Sequence, residues 1–335
     1  MALARPFGVR GIPMTSDCRG AGYGCQVAEL EVKHQMGRAD IAAVSELLEL
    51  ATEVDGHPPL DEHQWLDLVN GGRHDFAGLV AWEPGHDHPV GYAQVTREES
   101  ATHPATWALE YVVDPHHRRP DLGIARTLLD AAVGLVAEAG GGHVHMWVPK
   151  PTETSDVLAA SVGLHRGREL CQLRRPLPVD EKTTVEVRPF VVGQDEATWL
   201  EVNNRAFHWH PEQGGWDLET LRNREEQPWF DPAGFLLHER DGKLAAFCWT
   251  KVHADHDPPL GEIYVVAVDP GFRGLGLGRS MVLAGLDHLA RHGLVTGMLY
   301  GDSDNAGARR LYEELGFTTD HVELAYVWDV DPAAG

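Results

Sequence analysis

Apolar residues recur along this chain with two periods. Ile41, Val44, Leu47, Leu48 and Ala51 follow the spacing of one helix face. Residues 262–268 (EIYVVAV) form a β-branched run of strand length. A glycine-rich turn follows, and 280–291 carries Met281, Leu283, Ala284 and Leu286 along one face, which predicts a helix. Residues 297–301 (GMLYG) predict a second short strand, and 303–315 a helix with Ser303 or Asp304 as N-cap and Gly316 just past its end. Residues 1–28 show neither period and are expected to form a poorly ordered leader. Charge, proline and β-branched residues cluster over 174–189, which predicts a boundary near 180, with domains over 29–178 and 179–335.

The pattern repeats. YVVDPHHRRPDLGIAR at 111–126 answers VAVDPGFRGLGLGR at 266–279. Asp114 and Pro115 match Asp269 and Pro270 at an offset of 155, and the glycine turn at 123–126 matches 276–279 at 153. Val162, Gly163 and Leu164 match Leu315, Gly316 and Phe317, again at 153. Three matches in order predict one α/β fold (an α+β mixed sheet) used twice in tandem, each copy reading strand, loop, helix, strand, helix.

Charge narrows the partners. Twenty-eight Lys and Arg against 51 Asp and Glu leave a net charge of −23, which repels nucleic-acid backbones and anionic membranes. No apolar run approaches the length of a membrane span, and the first 30 residues lack a signal-peptide core, so a cytoplasmic monomer is expected. Cys18, Cys25, Cys171 and Cys248 are too scattered for a disulfide framework. Among 20 histidines, His253 and His256 with Asp255 and Asp257 make the densest cluster. That cluster, His86 with His88, and His116 with His117 all read as solvated polar loops, and no metal is expected.

The loop from Arg273 to Gly278 joins strand to helix, where glycines expose backbone N–H groups that suit a pyrophosphate. It fails the Walker pattern, which needs Lys after its last glycine, and the dinucleotide fingerprint, whose third glycine falls on Arg279 or Met281. The remaining pattern, R-x-x-G-x-G after a strand ending Val-Asp-Pro, resembles the coenzyme A loop of the GNAT N-acetyltransferases. Leu311, Tyr312, Leu315, Gly316 and Phe317 resemble that family's LYxxxGF signature. The resemblance implies acetyl-CoA as co-substrate, with Val266, Ala267 and Val268 pairing with pantetheine. It implies that Arg273, Gly274, Leu275, Gly276, Leu277, Gly278 and Arg279 hold the pyrophosphate, with Asn305, Ala306, Gly307, Ala308, Arg309 and Arg310 completing the coenzyme site.

Acetyl transfer to an amine needs a base for the ammonium proton, a donor for the developing oxyanion and an acid at the leaving thiolate. Glu262 is the base candidate, a strand-bulge N–H near Val268 the oxyanion donor, and Tyr312 the acid. Glu262 also reads as a solvated strand-end carboxylate, and Tyr312 as a core tyrosine. In the first copy Glu262 maps to Trp107, Tyr312 to Ala159 and Asn305 to Thr152, while Asp121 sits where phosphate would be repelled. That copy is expected to be catalytically silent, with Tyr111, Val112 and Val113 marking a candidate second coenzyme site.

The second half carries a narrower likeness. Asn203, Asn204, Ala206 and Phe207, then HPEQGGW at 210–216 and WTKVH at 249–253, resemble the mycothiol synthase family of tandem GNAT enzymes. The resemblance spans about 35–330 and is strongest over 195–328. It implies acetylation of the cysteinyl amine of cysteinyl-glucosaminyl-inositol, a small thiol-sugar substrate, with Glu262 acting through water. It further implies a substrate pocket of Glu212, Lys251, Glu262 and Tyr300, reached by Glu62 from the first copy, for which Asp61 is an equal candidate. A GNAT enzyme acting on another amine, and an acetyl-CoA sensor without turnover, remain the alternatives.

Overall fold

The computed structural model describes residues 29–72, 75–86, 88–98, 105–118, 123–210, 213–254 and 256–333, without the side chains of 62 and 63. The leader, with Cys18 and Cys25, lies outside the described residues. The first half runs β1 (Glu29–Lys33), α1 (Arg38–Asp55), α2 (Glu62–Val69), β2 (Phe76–Trp82), β3 (Gly91–Glu98), β4 (Thr106–Val113), α3 (Gly123–Glu138), β5 (Gly142–Pro149), α4 (Glu153–Ser161) and β6 (His165–Pro176). The second half runs β7 (Arg188–Pro189), α5 (Glu196–Ala206), α6 (Leu218–Glu225), β8 (Phe235–Arg240), β9 (Lys243–His253), β10 (Leu260–Val268), α7 (Leu277–Arg291), β11 (Thr296–Asp302), α8 (Ala306–Glu314) and β12 (Thr318–Val330). No described helix is long and apolar enough to cross a membrane.

The chain divides into two compact units, Met1–Gly167 with Leu324–Gly335, and Arg168–Glu323. The division therefore falls at Gly167, not near 180, and the end of the chain returns to the first unit. Strand exchange explains the difference. β6 follows α4 in sequence but pairs antiparallel with β11, and β12 follows α8 but lies next to β5. The proline and charge cluster over 174–189 marks only where β6 ends.

Within the first unit, β1 to β5 lie in sequence order, antiparallel up to β4 and parallel between β4 and β5. α1 ends at Gly56, and its predicted stripe of Val44, Leu47, Leu48 and Ala51 is buried with Tyr92 and Val112. In the second unit, β7, β8, β9, β10 and β11 repeat that order, and β10 and β11 are the parallel pair.

The second unit's sheet buries both faces. α7 covers one with Met281, Leu283 and Leu286 against Cys248, Ile263 and Leu299. Its other face packs Phe247, Trp249 and Val265 on Trp199 and Leu221. Trp249 stacks on Phe235 at a centroid distance of 4.3 Å. Each such aromatic pair adds about 0.5–1.5 kcal/mol beyond its burial. Aromatic packing therefore makes the strand carrying Trp249, Lys251 and His253 a stiff platform.

Leu286 is fully buried in α7, whereas Val157 on α4 is 61% exposed. Leu286→Ala is expected to cost about 2–5 kcal/mol and to lower the urea midpoint of the second unit. Val157→Ala should stay within about 0.5 kcal/mol of the wild type.

Candidate active site

Register decides which side chains share a face. Lys251 lies opposite Glu262 across β9 and β10, and Met298 opposite Glu262 across β10 and β11. Alternation then puts Lys251, His253, Glu262 and Tyr300 on one face, joined by Gln172, which lies opposite Tyr300 on β6. Glu262 is buried, and its Oε2 lies 2.7 Å from His253 Nε2, a diagonal cross-strand hydrogen bond. The Tyr300 hydroxyl accepts from Gln172 Nε2 at 2.7 Å. Burial raises the Tyr300 phenol above its usual value, and the Glu323 carboxylate adds to the rise. Lys251 Nζ sits 4.5 Å from the Trp229 ring centroid and 5.5 Å from that of Tyr264.

The same strands open a slot. Parallel pairing of β10 with β11 runs through two register positions, Gly261 opposite Gly297 and Glu262 opposite Met298. Beyond them β10 continues to Val268, paired with β9 on its other side. The edge of β10 toward β11 is thereby left for another chain of amides over Val266, Ala267 and Val268. The predicted bulge near Val268 is corrected by the structure. The register shift lies between Ile263 and Val265, and Val265, Val266, Ala267 and Val268 pair regularly with Trp249 back to Ala246.

At the end of β10, Val268, Phe272, Arg273, Gly274, Gly276, Leu277, Gly278, Arg279 and Leu311 line a cavity of about 290 Å³. Gly276 caps α7 in the left-handed region, φ 73°, with no side-chain cap, so the helix presents bare N–H groups there. Such a terminus attracts an anion through both its donors and its dipole. The six residues from Asn305 to Arg310 are placed differently. Asn305, not Ser303 or Asp304, is the N-cap, accepting from Ala308 N at 3.0 Å. Arg309 lines a separate cavity of about 260 Å³ with Leu173, Glu313 and Phe317. Arg310 is exposed and pairs with Glu314 at 3.0 Å. Arg279 is gripped by both carboxylate oxygens of Glu181, at 2.9 and 2.6 Å.

The described end of the HPEQGGW motif, residues 213–216, is clamped to α5. Asn203 Nδ2 donates to Gln213 O at 2.8 Å, while Asn204 donates to Trp216 O and accepts from Trp216 N at 2.8 and 3.0 Å. Gly214 passes so close that a Cβ would lie 2.3 Å from Phe207 O. Arg168 joins His210 at 2.9 Å and Asp302 at 3.0 Å. Burial, reinforced by Arg168, holds the His210 imidazole down at about 4, so it is neutral at pH 7. Glu212 lies outside the described residues.

Tyr312 is buried in the apolar cluster on the α7 face, opposite the Glu262 face, with its ring packed over Gly301 of β11. Burial pushes its phenol up to about 12, so it keeps its proton at neutral pH.

Comparison with known proteins agrees with the two-unit architecture. The acetyltransferase (GNAT) family model matches twice, over residues 41–166 and 202–317. A mycothiol acetyltransferase of Thermomonospora curvata is 46% identical over 85% of this chain and 93% of its own length. Another, of Acidimicrobium ferrooxidans, is 43% identical over 84% of this chain and 91% of its own. The chain belongs to the mycothiol acetyltransferase family. It is therefore an acetyl-CoA-dependent N-acetyltransferase with two tandem GNAT domains. Two solved structures share the fold. A GCN5-related N-acetyltransferase from Sphaerobacter thermophilus aligns with a TM-score of 0.67 at 20% identity, covering 91% of this chain and 97% of that one. A tandem GNAT protein from the clavulanic acid biosynthesis pathway aligns at 0.65 and 18%, covering 91% and 100%.

The first GNAT domain repeats the strand geometry with different side chains. β4 and β5 pair at Thr106, Trp107 and Ala108, leaving Tyr111, Val112 and Val113 beyond the paired stretch. At the Glu262 position, Trp107 is buried with its Nε1 donating to Gly141 O at 3.2 Å. Ala159 replaces Tyr312 in the core, and Thr152 caps α4 as Asn305 caps α8. Asp121 lies outside the described residues. Asp61 accepts from Gln64 N at 3.0 Å at the start of α2, and the side chain of Glu62 lies outside the described residues.

Sequence reasoning missed His253 as a partner of Glu262. It lies in β9, not in a solvated loop, and its period-2 spacing from Lys251 was the available signal. Gln172 and Arg168 carried no motif.

The His210 environment sets a pH dependence. An unfolded histidine titrates near about 6.5, above the folded value of about 4. The unfolded chain thus gains a proton first as the pH falls, and stability is lost from about 6.5 down to 4. The thermal midpoint is expected to drop over that window, and less steeply in His210→Gln. Equal slopes in both proteins would contradict the buried neutral imidazole.

Proposed function

We propose that this chain transfers the acetyl group of acetyl-CoA to the cysteinyl amine of cysteinyl-glucosaminyl-inositol, giving mycothiol. The observation that carries the reading is a buried carboxylate, Glu262, at the point where β10 and β11 stop pairing. A thioester lying between the parted strands would meet Glu262 on one face and Tyr312 on the other. The name of the relatives supports the choice of acceptor, and so does a floor of Glu262, Lys251, Tyr300 and Gln172. That floor offers donors and acceptors suited to an ammonium and sugar hydroxyls.

In this mechanism Glu262, through a water, takes a proton from the substrate ammonium, and His253 holds the carboxylate in place. The amine lone pair attacks the thioester carbon, forming the C–N bond, while N–H groups on the open edge of β10 bind the oxyanion. The C–S bond then breaks and the Tyr312 phenol protonates the departing thiolate. The attacking nitrogen gives up its second proton to water as the adduct collapses, Glu262 returns the first to solvent and Tyr312 takes one back, so the net products are the amide, CoA and one proton. Arg273, Gly274, Leu275, Gly276, Leu277, Gly278 and Arg279 hold the pyrophosphate, and residues 305–310 flank the coenzyme. Glu212 is assigned to the substrate, and Glu62 or Asp61 remains a candidate for it. Tyr111, Val112 and Val113 remain the candidate second coenzyme site.

CoA release should be measured with the cysteinyl sugar beside a panel of amines that includes a peptide N-terminus. The sugar is expected to be strongly preferred. Glu262→Gln should lower kcat/KM by about 10²–10⁴-fold, and Tyr312→Phe should lower kcat by at least about tenfold. Turnover of other amines alone would overturn the substrate, and coenzyme binding without turnover would overturn the enzyme.

A further inference from the structure

Two turns of the first unit bring together side chains that the transfer reaction does not use. Glu83 and His86 lie in the turn between β2 and β3, and His117 in the 3-10 turn Pro115–His117 after β4. Glu83 Oε2 is 3.5 Å from His86 Nε2 and 3.0 Å from His117 Nε2, and all three atoms lie within 4.8 Å of one another. The edge of a tetrahedron with zinc–ligand bonds of about 2.0–2.1 Å is about 3.3–3.4 Å. The two measured separations bracket that edge. Glu83 and His117 are mostly buried, and His86 stands at the surface as an entry side.

A second layer surrounds these three. His117 Nδ1 is buried, 3.1 Å from Asp114 Oδ2 but too poorly aligned to form a hydrogen bond. A small ring rotation would complete a carboxylate–histidine pair, the arrangement that fixes the tautomer of metal-bound imidazoles. Asp114 is itself buried and fixed by His88 Nε2 at 3.0 Å and His116 N at 2.8 Å. Its counterpart Asp269 in the second unit is held differently, by Arg205 at 3.0 and 2.7 Å. Where one unit surrounds this aspartate with a guanidinium, the other surrounds it with imidazoles.

We propose that Glu83, His86 and His117 bind one divalent transition-metal ion of the zinc type, with Asp114 orienting His117. Two imidazoles and one carboxylate give a neutral-nitrogen and oxygen donor set that suits zinc or cobalt over magnesium or calcium. The ion ties the β2–β3 turn to the turn that leaves β4. Asp231, His288 and His292 form a comparable trio. There, however, His292 is exposed and its Nδ1 lies 2.8 Å from the backbone oxygen of His288. No buried second carboxylate backs that trio among the described residues, and it serves as the control.

The test is zinc titration of the full, chelator-stripped chain against a colorimetric zinc indicator, with the visible spectrum of the cobalt form as a second readout. One equivalent of zinc and an intense, tetrahedral-type cobalt spectrum are expected. His86→Ala, at an exposed position, and His117→Ala should each weaken binding at least tenfold, and Asp114→Asn by about 10–100-fold. The His288→Ala/His292→Ala double variant should bind as the wild type does. Absence of stoichiometric binding, or binding unchanged in both His86→Ala and His117→Ala, would overturn the site. Loss of binding in the double control variant alone would assign the ion to the second unit and overturn it equally.

Discussion

Parallel pairing between β10 and β11 runs through Gly261 and Glu262 and then stops, and the reactive geometry of the second unit depends on that stop. Were the pairing to continue, the amides of Val266, Ala267 and Val268 would be spent on a neighbouring strand. Because it ends, one strand edge remains for a ligand's amides, and a passage opens between the two faces of the sheet. Glu262 stands on one face at the last paired position, and Tyr312 is buried on the other. A buried carboxylate and a phenol kept protonated by burial are thus set on opposite sides of one slot. The same run of backbone leads on to the bare N-terminus of α7, a helix end that attracts anions.

The first unit repeats this strand geometry with other side chains. Its β4 and β5 also pair briefly and part. Yet Trp107 stands at the Glu262 position with a hydrogen-bonded indole, and Ala159 stands where the second unit has Tyr312. The aspartate that opens each glycine loop survives in both, but its surroundings have diverged from arginine to histidine. Local caps persist where they stabilise backbone, as Thr152 and Asn305 do at corresponding helices, even though only one of those helices carries a tyrosine.

Much of this was legible in the sequence because it is local. The stripe of α1, the β-branched run of β10 and the glycine loop each express a period or turn rule within about 20 residues. The tandem repeat was legible because both copies kept the same aspartate, proline and glycine positions. What failed was long-range pairing. The pairing of β6 with β11, and the position of β12 next to β5, leave no mark on either strand's own composition, so the boundary was placed where proline and charge cluster. The hydrogen bond from His253 to Glu262 depends on the register that sets Lys251 opposite Glu262, which no residue pattern announces. The HPEQGGW motif was visible, but not its cause, since the two asparagines that clamp it lie on a helix upstream.

The central claim is that Glu262 removes the proton that keeps the acceptor amine unreactive. The most direct test is the pH dependence of kcat/KM below the pKa of the cysteinyl α-amine, about 7.7–8.0, in the wild type and in Glu262→Gln. The account predicts a nearly level profile for the wild type just below that pKa. The variant, which must wait for free amine, should lose about tenfold per pH unit. Parallel profiles of equal height would contradict it, and would mean that the proton leaves by another route.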